Sequence, residues 1–433
     1  MVNPPAHRRV RAGVGSPSPR TVEVSSSAPV RVCLVAPSLD IMGGQAVQAD
    51  RLRRALGSGA ALEVEFLPVN PRAPGPIRWL QRVKYARTVV TSILYAWSLL
   101  ARTRRYDVLH VFSASYFSFL LAPLPALVAG RLFRKPTILN YRSGEAEDHL
   151  TRWKRTGLPG VRLASSVVVP SGFLVDVFRR FGIQAMAIAN FVDVSHVPHR
   201  ARAMPRPVLL SNRNFESLYD VATTLRTFAI VQGEYPDAAL LLAGAGREEA
   251  NLRALAASLE LRNVTWHGAL APEAMARLYD AADIYVNAST IDNMPTSIIE
   301  AFAAGLPVAT TDAGGIPYLV THERTGLLAP TRDPDALASA VFRLLREPGL
   351  AHRLAAAARA ECEQRYTWSA VRDQWEALYR NLARPPVRSE VARGVPDRAS
   401  RADSIDVIRQ TQSNMTLTHT AVEHPDVHRP ERA

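Results

Sequence analysis

The sequence predicts an α/β protein of two domains, each a mostly parallel sheet flanked by helices, on three observations. A chain of 433 residues exceeds what one compact core holds, so two domains are expected. Short apolar runs of strand type alternate with longer helical segments along most of its length, the pattern of βαβ units. That alternation pauses at Val197–Pro207, rich in His, Pro and Arg, and then resumes, so this stretch reads as a linker.

The first domain is expected over residues 30–196. It opens with the apolar run Val30–Ala36, followed by the loop Leu39–Gln45 with its Gly43-Gly44 pair and by a helix over Ala46–Leu56. Further strands are expected at Leu62–Leu67, Val108–Phe112, Thr137–Asn140 and Val167–Val169. After the linker 197–207, the second domain spans 208–365. Its strands are expected at Val208–Leu210, Leu240–Ala243, Val264–His267, Ile284–Asn287, Val308–Thr310 and Gly326–Leu328, separated by helices such as Val221–Val231 and Arg247–Leu259. Residues 366–383 form a last amphipathic helix carrying Trp368, Trp375 and Tyr379. The ends, 1–29 and 384–433, are polar, show no helical or strand period and are expected to be disordered tails. The first has no apolar core of signal-peptide length.

Hydrophobic content of 47% with 21% charge describes a soluble globular chain. The two cysteines, Cys33 and Cys362, lie far apart and read as buried or inert thiols in a reducing cytosol. No Cys/His cluster has metal-site spacing. Charge is uneven: residues 31–206 carry +15, whereas residues 207–383 carry −6. A basic half can attract nucleic acid or anionic membrane, and no nucleic-acid module is recognisable, so a membrane surface is the favoured partner and nucleic acid is not expected.

Thr88–Ala101 is uncharged but at fourteen residues too short to cross a bilayer. Trp79, Val83, Ala86, Val90, Ile93, Trp97 and Leu100 share one helical face, and eight basic residues flank or punctuate it with no acidic residue from 72 to 105. Two readings stand: a buried core helix, or an amphipathic element lying on anionic lipid. Val111–Gly130, uncharged but broken by three serines, Pro123 and Pro125, reads as strand end, loop and core helix.

The chemistry concentrates between Asp292 and Glu300. Pro295 suits the first turn of a helix, and Gly305 and Pro307 stop it. One carboxylate then lies in the loop before the helix and the other about a turn and a half on, with backbone N–H groups between them. Such a site suits a ligand with hydroxyls at one end and phosphates at the other. Val308-Ala309-Thr310 reads as a buried strand, and Asp312-Ala313-Gly314-Gly315-Ile316-Pro317 as a glycine turn opening another helix.

Asp292–Pro317 resembles the donor site of retaining glycosyltransferases of family 4, which have the GT-B fold of two facing Rossmann-like domains. Their signature is an acidic residue, seven others and Glu, then Ala-x-Ala-x-Gly-x-Pro-Val and Gly-Gly-x-Pro; here the first acidic residue is Asp where Glu is commoner. The resemblance covers roughly Val30–Leu382 and is strongest from Val208 to Leu328. It implies an acceptor-binding first domain, a donor-binding second domain, and a last helix that returns to the first.

It also implies roles. Glu300 would accept the ribose hydroxyls, Asp292 would contact the transferred sugar, and Arg213 would fork onto the leaving phosphate. The backbone of Asn293, Met294, Pro295 and Thr296 would bind sugar or phosphate. Gly43 and Gly44 would approach the donor phosphates, and Gly244 and Gly268 the nucleoside. On the acceptor side, His110 reads more as a structural strand-end histidine than a catalytic one, and Arg142 could bind acceptor or phosphate. Asp333-Pro334-Asp335 reads as a helix-capping turn instead of a metal motif. No metal or other cofactor is expected, because a helix N-terminus and arginine can neutralise the pyrophosphate.

Two departures stand out. Tyr219 occupies the place of an expected Lys, and Phe112 that of a second histidine. The implied reaction moves a sugar from a nucleoside diphosphate, UDP in first place, to a glycan or lipid-linked acceptor at the inner membrane face, with retained configuration. The alternatives are a nucleotide-sugar-binding scaffold with weak or lost catalysis, and a nucleotide-sugar epimerase of the same fold.

Overall fold

The computed structural model describes residues 28–38, 44–57, 59 and 61–384. The expected tails (apart from residues 28, 29 and 384) and Gly43 lie outside the described residues. Twelve strands make two six-stranded parallel sheets. The first holds β1 (Val30–Ala36), β2 (Leu62–Pro68), β3 (Val108–Phe112), β4 (Thr137–Asn140), β5 (Ser166–Val169) and β6 (Met186–Ala187), in the order β2-β1-β3-β4-β5-β6. The second holds β7 (Val208–Ser211), β8 (Ala239–Leu242), β9 (Val264–Trp266), β10 (Ile284–Asn287), β11 (Val308–Thr311) and β12 (Leu327–Ala329), in the order β12-β11-β10-β7-β8-β9. Of these, only β6 has no counterpart in the sequence reading; two residues are too short to show a period.

Helices bury apolar residues on both faces of each sheet, and the strands are accordingly near-continuous apolar runs. In each sheet the strand order reverses beside the first strand, between β1 and β3 and between β7 and β10. Open α/β sheets bind ligands outside the carboxyl ends of the strands at such a reversal. The register Ile284↔Leu209 and Tyr285↔Leu210 therefore brings the loops after β7 and β10 side by side.

The helix Trp368–Ala383 follows the second domain in sequence but packs on the first sheet. Val371, Trp375, Leu378 and Tyr379 are buried among Val32, Leu34, Ala36 and Ile138. The linker is strapped down as well. Buried Arg202 donates to the carbonyls of Tyr279 (2.6 Å), Ala282 (2.8 Å) and Ala304 (2.7 Å), at the carboxyl ends of two helices where a cation is favoured. Cys33 and Cys362 are free and buried, and burial pushes each thiol up to about 12, which keeps it protonated and unreactive.

The glycine turn at 312–317 opens only the 3-10 turn Ile316–Tyr318, not the helix expected there. Asp333 caps the helix Pro334–Arg346 by accepting from the Ala336 N–H at 2.8 Å. The segment with two readings forms the helix Lys84–Arg102, which buries Tyr95 and Leu99 but leaves its largest apolar residues outside. The core-helix reading thus fails for the face that carries Ile93 and Trp97.

Because Trp375 is 2% exposed and anchors the returning helix, Trp375→Ala is expected to cost about 3–5 kcal/mol in urea unfolding. A loss well under 1 kcal/mol would show that the helix is not docked.

Candidate active site

Arg213 and Asp292 meet at the strand-order reversal of the second sheet. Arg213 lies just past β7 and Asp292 past β10, and Nη2 of Arg213 donates to Oδ2 of Asp292. Nη1 of Arg213 reaches Ser297 Oγ at 3.0 Å, and the Tyr219 ring stacks on the guanidinium at 4.0 Å. Burial opposes the Arg213 charge, but Asp292 together with Tyr219, Tyr285 and Tyr279 outweighs it, and the arginine is held above its ordinary pKa. Its Nε has no partner among the described residues.

Glycines let the backbones approach closely enough for this pairing. A Cβ on Gly244 would sit 2.3 Å from the Arg213 carbonyl oxygen, and one on Gly314 2.4 Å from the Asp292 carbonyl oxygen. The Gly315 N–H donates to that same Asp292 oxygen at 3.0 Å. The Gly-Gly turn thus buttresses the Asp292 loop.

Glu300 sits one turn inside the helix Thr296–Ala303, whose start Pro295 sets. Its carboxylate is oriented by a relay: Tyr285 Oη donates to Asn212 Oδ1 (2.9 Å), Asn212 Nδ2 to Tyr279 Oη (2.6 Å), and Tyr279 Oη to Glu300 Oε2 (2.8 Å). Burial, with Glu300 close by, raises the Tyr279 pKa well above its ordinary value, so the phenol stays a donor. Across the cleft, Arg51 of the first domain donates to Glu300 Oε1 at 2.8 Å, and Gln48 donates to Thr296 Oγ1 at 3.0 Å.

Arg142, after β4, brings the first domain's other cation. It is bound to Asn140 Oδ1 (3.5 Å) and Asn190 Oδ1, lies over the Phe112 ring, and has no carboxylate partner among the described residues. Burial pushes it down to about 9, still a cation at neutral pH. These groups surround a cavity of about 400 Å³ between the domains, within the range of small-ligand sites. Arg142, Arg213, Asp292, Met294, Pro295, Thr296 and Glu300 all line it.

Other expected site residues lie elsewhere or play other parts. The Asn293 N–H is taken by its neighbour Asp292 Oδ1 at 2.9 Å and Pro295 has none, so of the four loop residues only Met294 and Thr296 keep an N–H to offer. Asn293 itself is buried, with Oδ1 bound to Ser171 and Nδ2 unpartnered. Gly44 begins the helix Gly44–Gly57. Gly244 and Gly268 do not line the cavity. The Gly244 N–H donates to the Gly268 carbonyl at 2.8 Å, and the pair supports the Arg213 loop from behind.

His110 is fully buried away from the cavity: Nδ1 meets Tyr379 Oη at 2.7 Å, Nε2 meets Asn140 Nδ2 at 3.0 Å, and the ring stacks on Trp375. Burial, reinforced by the Arg142 charge, pushes its pKa down to about 3. It joins the first sheet to the returning helix. Sequence reasoning missed Arg51, Gln48, Asn190, Asn212 and Tyr279, which carry no motif of their own. Only Asn212, beside Arg213 after a strand, could have been suspected.

Two six-stranded parallel sheets with their strand ends facing one cleft define a GT-B protein. Residues 198–361 match the family Glycosyl transferases group 1. Over 229 residues the chain is 31% identical to a phosphatidyl-myo-inositol mannosyltransferase of Mycobacterium leprae, covering 50% of this chain and 60% of that one. It is 27% identical over 178 residues to the N-acetyl-alpha-D-glucosaminyl L-malate synthase of Bacillus anthracis, covering 41% and 46%. The chain thus spans about half the length of the curated relatives it matches. Among solved structures, a sucrose-phosphate synthase of Thermosynechococcus elongatus superposes with a TM-score of 0.67 at 22% identity over 82% of this chain and 99% of that one. Anabaena HepE in complex with UDP and glucose gives 0.63 at 18%, over 81% and 100%.

The depressed His110 pKa has a pH consequence. Between about 6.5 and about 3 the unfolded chain binds a proton at this histidine that the folded chain does not, so its contribution to stability is lost as pH falls. His110→Asn is expected to flatten the slope of unfolding free energy in that window by up to ~1.4 kcal/mol per pH unit. An unchanged slope in urea titrations would contradict the buried neutral state.

Proposed function

We propose that this chain transfers a sugar from a nucleoside-diphosphate sugar to a glycan or lipid-linked acceptor, with retention at the anomeric carbon and without a metal ion. The observation that carries the reading is the meeting of Arg213, Asp292 and Glu300 in one cavity at the sheet's strand-order reversal. Arg213, with its uncommitted Nε, binds the diphosphate and stabilises the charge that develops as it leaves. Arg142 supplies a second cation in place of the lysine that Tyr219 replaces. Asp292 orients Arg213 and the sugar hydroxyls, and Glu300, held by Tyr279, accepts the ribose hydroxyls. The anomeric carbon–phosphate oxygen bond breaks, and the acceptor oxygen bonds to the same face of that carbon. The acceptor proton passes to the departing phosphate oxygen, so no carboxylate base is needed. A role in polysaccharide or glycolipid assembly follows from the acceptor class.

The relatives differ in donor. One is named GDP-mannose-dependent, and one structural neighbour is described with UDP-glucose. UDP remains our first expectation, and calorimetry with UDP and GDP decides it. A second reading, a nucleotide-sugar-binding scaffold, draws on Tyr219, whose ring covers Arg213 where a second cation was expected. The scaffold predicts binding without hydrolysis or transfer over a broad acceptor panel.

Glu300→Gln is expected to lower kcat/KM for transfer at least ~100-fold with an unchanged melting curve. Retained turnover would refute the site. Arg142→Gln is expected to weaken binding of the preferred nucleoside diphosphate about tenfold, the scale of a lost charge-assisted hydrogen bond. Unaltered affinity would move Arg142 to the acceptor or to structure.

A further inference from the structure

The helix Lys84–Arg102 turns its bulky apolar side chains outward. Tyr85, Val89, Ile93, Trp97 and Leu100 are 78%, 58%, 63%, 71% and 49% exposed, at spacings of four, four, four and three residues. They form one stripe along a helix that, at 1.5 Å per residue, is about 28 Å long. The stripe continues into Trp79 and Val83 before the helix, and the neighbouring helix Pro123–Leu132 exposes Val128 and Leu132. Packing inside the domain does not require this, because Tyr95 and Leu99 on the opposite side already meet the core.

The charges around the stripe say what covers it. No acidic residue occurs between 72 and 105. Exposed Arg78, Arg82 and Arg87 lie at one end, and exposed Arg102, Arg104 and Arg105 at the other. A second copy of this face packed about a twofold axis would set like charges against like at both ends. No helix among the described residues is long and apolar enough to cross a membrane, so the element is suited to lie on a surface. We propose that this face docks the first domain on an anionic lipid bilayer, with the apolar stripe in the interface and the flanking arginines on the headgroups.

The orientation is useful. The helix leads from the carboxyl end of β2 back to the amino end of β3, so it starts on the carboxyl-end side of the sheet, the side of the cleft. A protein docked this way presents its cavity close to the lipid surface. The inference is independent of sugar transfer, since the stripe shares no residue with the cavity.

The test is flotation of the full chain with vesicles of phosphatidylglycerol mixed with phosphatidylcholine, and with phosphatidylcholine alone. We expect binding to the anionic vesicles that weakens with salt and falls at least about tenfold in the double variant Ile93→Glu/Trp97→Glu. Circular dichroism melts check that the variant is folded. If it is not, the milder Trp97→Ala is used, for which about a threefold loss is expected. Three results would overturn the proposal: no binding of the parent chain to anionic vesicles, equal flotation of a folded variant, or a parent dimer in solution that the variant dissociates. Nucleotide affinity, measured alongside, is expected to be the same in parent and variant. Its absence in both would count against the proposed transfer reaction and leave the flotation result standing.

Discussion

The site depends on a buried guanidinium–carboxylate pair whose members are 79 residues apart in sequence. Neither Arg213 nor Asp292 could be buried alone, because an unpaired charge at about a tenth exposure costs several kcal/mol. They pair because β7 and β10 are neighbours in the sheet, and because Gly244 and Gly314 allow backbone to approach backbone behind each residue. The pair is a structural contact, and in the proposed reaction it also meets the diphosphate with a cation whose position is already set, which is the preorganisation that charge stabilisation requires.

The second domain does not complete the cavity alone. Arg51 pairs with Glu300, Gln48 holds Thr296, and Asn190 donates to the Met294 carbonyl at 2.8 Å. All three come from the first domain and all three address the same short segment, 294–300. These three contacts are polar, as is common at an interface between domains of one chain. Where the motif predicts a lysine, the chain places Tyr219 on the face of Arg213, and the first-domain Arg142, which has no carboxylate partner among the described residues, also lines the cavity. The positive charge of the cavity is thus divided between the domains, so it is complete only when they face one another.

His110 and the outward helix show the same residue pattern serving different ends. The strand-end histidine reads more as structural than catalytic, and the returning helix covers it with Trp375 and Tyr379 and keeps it neutral. An apolar helical stripe admitted either a core or a lipid-facing reading, and the packing uses the other flank and leaves Trp97 in solvent. In each case periodicity identified the element, and the neighbouring element decided which face is used.

Eleven of the twelve strands are long enough to carry their own apolar signal, and their alternation with helices made both sheets legible, as did the spacing from Asp292 to Glu300. These are local properties, fixed by burial on both sheet faces and by Pro295 and Gly305 at the helix ends. The sequence also determined the charge imbalance between the domains. It could not determine that Arg51, Tyr279 and Asn212 would converge on one carboxylate, because their contacts join positions up to 249 residues apart and leave no local period. Nor could it decide which glycines line the cavity and which only let two backbones meet. That depends on the distance between loops, and only the packed sheets set it.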